Sequence, residues 1–466
     1  MTWDITFQAG NQADIQNILN NAISTGATVI ELTNDVTLTS QLNVPYAVTV
    51  KFTSQSGNNY SISGNERYRI MEIRTDAAVI TTVYIGDITL KDGMIAGDGG
   101  AIFAGNPGAA KIFIESGAII DGNHAVNGGA IAIEQGCVTM EGGTISSNHA
   151  AEKGGGIYLG ASAPAICNAV FNMQGGTISN NTAVLGGGGI YEDRLDEMVN
   201  ISGGAFIENY SAGSGGGMYV TDLNMTHANV SENHADVCGG GIYLAGRGII
   251  SGIGNMTPTI SRNTAPRGGG ICMANNQTST LDIRPAALIL ENVATGAGGG
   301  GVWVEHSKLA DLTVGERVVF RGNRAPIGFA NRRPADNAVY FANIHTSSWS
   351  APFIQGYNNF DISYEGDNPE PEPGCSVRGE QMADVCLPVS IRPFANVGMI
   401  TTRCCGEPTI TPGTAICQGT PDRNCDFTIS QRICVLVPVE FGAEVTPGEA
   451  RVGCSGNNCG NCPQEG

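Results

Sequence analysis

Gly154-Gly155-Gly156-Ile157-Tyr158-Leu159 is a phrase to which the chain keeps returning. Earlier copies are Gly99-Gly100-Ala101-Ile102-Phe103 and Gly128-Gly129-Ala130-Ile131-Ala132. Later ones begin at Gly187, Gly215, Gly239, Gly268 and Gly299. The residue before each Ile, Met or Val falls at 101, 130, 156, 189, 217, 241, 270 and 301, giving steps of 29, 26, 33, 28, 24, 29 and 31. Recurrence at a loose fixed period marks a repeat architecture. A second signal lies upstream of each cluster, an apolar residue three positions before an Asn. The pairs are Ile120/Asn123, Ile145/Asn148, Ile178/Asn181, Phe206/Asn209, Val230/Asn233, Ile260/Asn263, Ile289/Asn292 and Phe320/Asn323.

Asn tolerates left-handed backbone and bonds its own neighbours, so these Asn are placed at a turn. Stacked at equivalent corners, their amides can also bond from coil to coil. After the glycines the chain alternates, as in Ile242-Tyr243-Leu244 and Val302-Trp303-Val304. Period-2 alternation over so few residues is a short strand with one face buried. Clustered Gly would cost about 1 kcal/mol per residue inside helices, which excludes helical repeats. The expected fold is therefore all-β, a parallel β-helix of about twelve rungs, counting a degenerate copy at Asn337-Ala338-Val339-Tyr340. At ~4.8 Å per rung the rod is roughly 55–60 Å long.

The Gly-Gly-Ala-Ile form at Gly128 to Ile131 and the Phe-x-x-Asn form at Phe206 and Phe320 resemble the paired repeats of polymorphic outer membrane proteins. The resemblance covers roughly residues 90 to 340. It implies a surface-exposed, right-handed parallel β-helix that acts as an adhesin.

Residues 11 to 24 read as an amphipathic helix, with Ile15, Ile18, Leu19, Ala22 and Ile23 on one side. A solenoid's first coil exposes strand edges, and covering them is the expected use of this helix within a cap over 1–28. The β-helix is expected to occupy 1–366, with 344–366 closing its far end. Pro369-Glu370-Pro371-Glu372-Pro373 is a stiff spacer within a linker at 367–374. A small disulfide-rich β module then fills 375–466, with two similar runs at Cys386–Ala395 and Cys434–Ala443. The second run, Cys-Val-x-Val-Pro-Val-x-Phe-Gly-Ala, resembles short Cys-rich proteins of clostridial spore surfaces.

Of the 14 cysteines, Cys137, Cys167, Cys238 and Cys272 lie in the rod region. The other ten (Cys375, Cys386, Cys404, Cys405, Cys417, Cys425, Cys434, Cys454, Cys459 and Cys462) crowd into 88 residues and are the disulfide candidates. Their pairing stays open, within or between subunits. Cys454-x4-Cys459-x2-Cys462 matches three ligands of a plant-type iron–sulfur pattern but has no fourth Cys beyond it, and zinc through Cys404 and Cys405 is the lesser reading. No cofactor is expected. Met1 to Thr6 carries neither a basic nor an apolar region, so no secretory signal is expected there. A net charge of −19 disfavours nucleic acid and anionic membrane as partners. No stretch approaches the ~20 apolar residues that span a bilayer.

The expected catalytic set is none. Asp121, Asp222, Asp236, Asp282 and Asp311 fall at different points of the repeat. The densest acidic cluster, Glu192-Asp193-Arg194-Leu195-Asp196-Glu197, reads as a solvated loop, with its strand ending before Glu192. His124, His149 and His234 each follow a ladder Asn and are expected to be stacked surface residues, not metal ligands. The outward column after the glycines holds Phe103, Tyr158, Tyr191, Tyr219, Tyr243 and Trp303. These rings either stack on one another or form a stripe for glycans or a neighbouring rod.

Two functions follow. The leading expectation is a non-enzymatic structural protein of a bacterial cell or spore surface, in which the rod gives reach and the tail attaches to itself or to other coat proteins. The second is a carbohydrate-binding adhesin, or a polysaccharide lyase or glycosidase, on the same scaffold. It requires Glu192, Asp193 and Asp196 to converge with other acids near the aromatic column.

Overall fold

The computed structural model describes residues 3–325 except 4, 23–25, 77–78, 106–107, 161–169, 194–197, 253, 255 and 316–317, then 361–362 and four short strands between 403 and 434. By compactness the chain divides into two units, Met1–Asp367 and Asn368–Gly466. The first is a right-handed parallel β-solenoid, as the repeat predicts.

One rung shows the plan. The chain runs up Ala109–Ile114, turns into Ile119–Asp121, bends at Asn123 into His124–Ala125, passes the glycines and enters Ile131–Ile133. Each segment pairs in parallel with its counterpart on the next rung, at Gly136–Met140, Thr144–Ser146, His149–Ala150 and Ile157–Leu159. Four sheets result, with 12, 11, 7 and 10 strands in that order along the rung. Register is held because alternate side chains point inward. Ile62, Leu90, Ile120, Ile145, Ile178, Phe206, Val230, Ile260, Ile289 and Phe320 form one buried column of the second sheet. Burying each such side chain contributes about 1.5–3 kcal/mol, and a one-residue slip would turn the whole column to solvent.

The glycine cluster is a corner with no room for side chains. Gly154 has φ +66°, and a Cβ on Gly155 would lie 2.4 Å from the carbonyl oxygen of Gly188 on the next rung. The three N–H groups of Gly154, Gly155 and Gly156 donate to Gly186, Gly187 and Gly188, so the backbone ladder continues through the bend.

The Asn corner differs from the expectation. The left-handed residue is not the Asn but the one before it, at Gly122, Ser147, Asn180, Glu208, Glu232, Arg262, Glu291 and Gly322, with φ between 53° and 69°. That twist turns the following Asn inward. It also leaves the strained residue's own N–H bonded, as Glu208 N donates to Ser231 O.

The helix is Gln12–Asn21, shorter than the 11–24 expected, because Asn11 is its N-cap and accepts from Asp14 N at 3.0 Å. Ile15 and Leu19 are buried against the first rungs. Its polar side covers the open edge of Leu42–Val44. Gln16 accepts from Asn43 N at 2.9 Å and donates to Asn43 O at 3.0 Å, as a neighbouring strand would. At the other end Val302 N donates to Asp361 O, and Ile362 pairs with Val302 and is buried.

In the second unit Arg403–Cys404 pairs antiparallel with Ile433–Cys434, and Thr409–Pro412 with Phe427–Ser430. The degenerate copy at 337–340, most of 344–366, the spacer and the runs at 386–395 and 435–443 lie outside the described residues. So do Cys375, Cys386, Cys405, Cys417, Cys425, Cys454, Cys459 and Cys462.

Candidate functional site

Three side-chain columns run along the solenoid's regular rungs. The innermost is the Asn ladder, whose eight members are all buried. From Asn148 onward, each Oδ1 accepts both the backbone N–H and the Nδ2 of the Asn one rung earlier, at 2.9–3.1 Å, as Asn209 does from Asn181. Each Nδ2 also donates to the carbonyl of the apolar residue a rung earlier, as Asn209 does to Ile178 at 2.9 Å. The amide dipoles therefore align. Gly93 N donates to the first Oδ1, and the last Nδ2, on Asn323, meets the Asp361 carboxylate at 2.8 Å. A carboxylate only accepts, so it suits the donor end of the array.

The second column is aromatic. Tyr158, Tyr191, Tyr219 and Tyr243 stack with ring centroids 6.2, 4.4 and 4.5 Å apart. The column is less open than an outward position predicts: Tyr191 and Trp303 are buried and the other rings half-buried. Before two of the glycine clusters stands a cation that folds over the ring of the next rung, and a third cation covers Phe103. Lys153 lies 4.8 Å over Tyr191 and Arg267 4.9 Å over Trp303, while Arg69 covers Phe103 at 4.7 Å. Burial, with the Asp193 carboxylate second, raises the Tyr158 hydroxyl above the usual phenol range and pushes Tyr191 up to about 12. Burial likewise raises Tyr219 and Tyr243.

At the same covering position stands Cys238, bonded to Cys272 of the next rung across a separation of 34 residues. Both are buried against Trp303 and Tyr243. Sequence reasoning missed this bridge. The available signal was that Cys238 precedes one glycine cluster and Cys272 replaces an aromatic residue in the following one. Cys137 is also disulfide-bonded.

The acidic cluster is only partly described, since 194–197 fall outside the described residues. Glu192 does not follow a strand that ends early: it is the last residue of Ile190–Glu192, is buried, and its Oε2 accepts from Thr221 N at 2.7 Å. The carboxylate takes a position held one rung earlier by Leu159. Asp193 binds Lys153 Nζ at 2.8 Å and the Tyr158 hydroxyl at 3.1 Å. These two acids are thus engaged in holding the Tyr column and the rung above it.

The third column follows the ladder Asn. His124 pairs with His149, His149 with Thr182, Thr182 with Tyr210, and Tyr210 with His234. His234 Nε2–H donates to Asp236 Oδ1 at 3.0 Å, and the ring stacks on Tyr210. An open groove of about 510 Å³ lies against the second sheet, lined by His227, Asn229, Thr259, Ser261, Arg262 and Arg321 among others. Among the described residues no three His, Cys, Asp or Glu side chains are grouped to hold a metal ion. No helix among them is long and apolar enough to cross a membrane.

Fold and columns together define a parallel β-solenoid repeat protein. Comparison with protein-family models, with curated proteins and with solved structures found no significant match in any of the three.

Proposed function

We propose that this chain is a non-enzymatic structural protein of a bacterial cell or spore surface. The solenoid is a stiff element, and the Cys-rich segment links it to further copies or to other coat proteins. The Asn ladder carries the reading: eight consecutive rungs each bury an Asn, and seven side-chain bonds join each to the next, which favours rigidity over a reaction centre. A disulfide inside the solenoid supports an oxidising setting outside the cytosol. The resemblance to adhesin repeats and to spore-surface Cys-rich proteins points the same way.

The test is electrophoresis and negative-stain microscopy of the full chain with and without reductant. Disulfide-linked multimers or filaments that reductant disperses are expected. Monomers in oxidising buffer whose tail thiols all alkylate would overturn the proposal.

The polar groove favours a second reading, a saccharide-binding adhesin. Arg262, Arg321 and Asn229 offer donors for hydroxyl and carboxylate groups. Retention on acidic polysaccharide that Arg321→Ala abolishes would select it, while cleavage of any polysaccharide would restore the enzyme alternative.

A further inference from the structure

We propose that Met94, His124 and His149 form a surface copper site that takes Cu⁺ through a thioether and two imidazoles. All three belong to the third column. Met94 pairs in parallel with His124, and His124 with His149, so the donors stand on consecutive rungs about 4.8 Å apart. The two imidazole centroids are 5.7 Å apart and tilted by 52°, so neither ring face is spent on close stacking. Met94 is 39% exposed, a long apolar side chain left at the surface beside an imidazole.

The next rung orients the donor. His149 Nδ1 lies 2.8 Å from Thr182 Oγ1. With Nδ1–H donating to that hydroxyl, the Nε2 lone pair is free for a metal, the outer-shell arrangement that fixes metal-binding imidazoles elsewhere.

Donor chemistry selects the ion. Imidazole suits copper, zinc and nickel alike, but a thioether is soft and favours Cu⁺. None of the three donors is a carboxylate, the ligand a hard cation prefers, and a low-coordinate ion fits a row of three donors better than tetrahedral zinc does. His234, two rungs beyond Thr182, serves as an internal contrast because Asp236 already engages its Nε2.

The experiment uses the full chain with free thiols alkylated, titrated anaerobically with Cu⁺ against bicinchoninate, and with Ni²⁺ separately. Wild type is expected to take up one Cu⁺ more than either His124→Ala or His149→Ala, and His234→Ala to match wild type. Met94→Leu is expected to weaken Cu⁺ on the order of tenfold while leaving Ni²⁺ on the imidazole pair unchanged, and Thr182→Val to weaken both ions by about tenfold, with Thr182→Ser restoring them. Circular dichroism verifies that these outward substitutions keep the fold. Equal Cu⁺ uptake by wild type and the His124→Ala/His149→Ala double variant overturns the site, and Met94→Leu binding Cu⁺ as wild type does overturns its assignment to copper.

Discussion

Replacing Asn209 by Ala removes one link from the ladder, and the structure states what each neighbour loses. Asn181 loses the acceptor of its backbone N–H, at 3.1 Å, and one of its Nδ2 bonds, at 3.0 Å. Ile178 O loses a donor at 2.9 Å, and Asn233 Oδ1 keeps only the backbone N–H of residue 209. All of this lies where no water reaches, since Asn181 and Ile178 are fully buried. A buried polar group left unpaired costs about 1–3 kcal/mol, so the substitution should cost about 3–5 kcal/mol. Asn200→Ala is the control. It breaks a half-buried amide contact on the first sheet, 3.3 Å to Asn172 and 3.2 Å to Asn224, and should cost under about 1 kcal/mol. Solenoids need not unfold in one step, so the assay is hydrogen exchange resolved by peptide. Protection should fall in peptides spanning 175–235 and persist at 45–90. Asn209→Asp sharpens the test, because only the protonated carboxyl can donate to Asn233 Oδ1. Its folded pKa should rise above the unfolded value of about 3.9. The stability it retains should thus be greatest below that value and be lost as pH rises through the folded one. If Asn209→Ala costs no more than Asn200→Ala, the ladder is not what holds the rungs together.

The remaining predictions concern the corners and the aromatic column. Glu208→Gly should raise stability by about 1 kcal/mol, because glycine relieves φ 55° at no steric cost, and the melting temperature should show it. Cys272→Ala, or reduction of its bridge to Cys238, should cost about 4 kcal/mol by loop closure over 34 residues, read as earlier exchange in peptides 235–305. Tyr158, Tyr191, Tyr219 and Tyr243 should stay protonated through the ordinary phenol range in an absorbance titration near 295 nm. Their folded pKa values are raised, so that contribution to stability is complete below pH ~10 and is lost as pH climbs through the raised values.

The repeat was legible because its chemistry is local. A glycine corner and an inward Asn each leave a mark at every turn, and strand alternation between Ile157 and Leu159 needs no knowledge of the partner rung. What escaped depends on contacts between rungs. The left-handed residue before each Asn is Ser147 in one coil, Glu208 in another and Arg262 in a third, types that do not announce such backbone. Cys238 and Cys272 look unrelated until stacking places them 5.7 Å apart at the Cα atoms. Glu192 reads as a loop acid, yet its carboxylate is bonded within the wall. Met94 follows Gly93 and not a ladder Asn, so the repeat motif does not mark it as the counterpart of His124. The aromatic column was visible, but its cover was not, since Lys153 and Arg267 belong to the preceding corner.

The most direct trial is X-ray diffraction from crystals of the chain, at a resolution that separates the side-chain amides. Asn123, Asn148, Asn181, Asn209, Asn233, Asn263, Asn292 and Asn323 should appear in one column, each Nδ2 close to 3 Å from the next Oδ1 and the last against Asp361. Amides that point to solvent, or that lie beyond bonding reach of one another, would contradict the stacked-rung account.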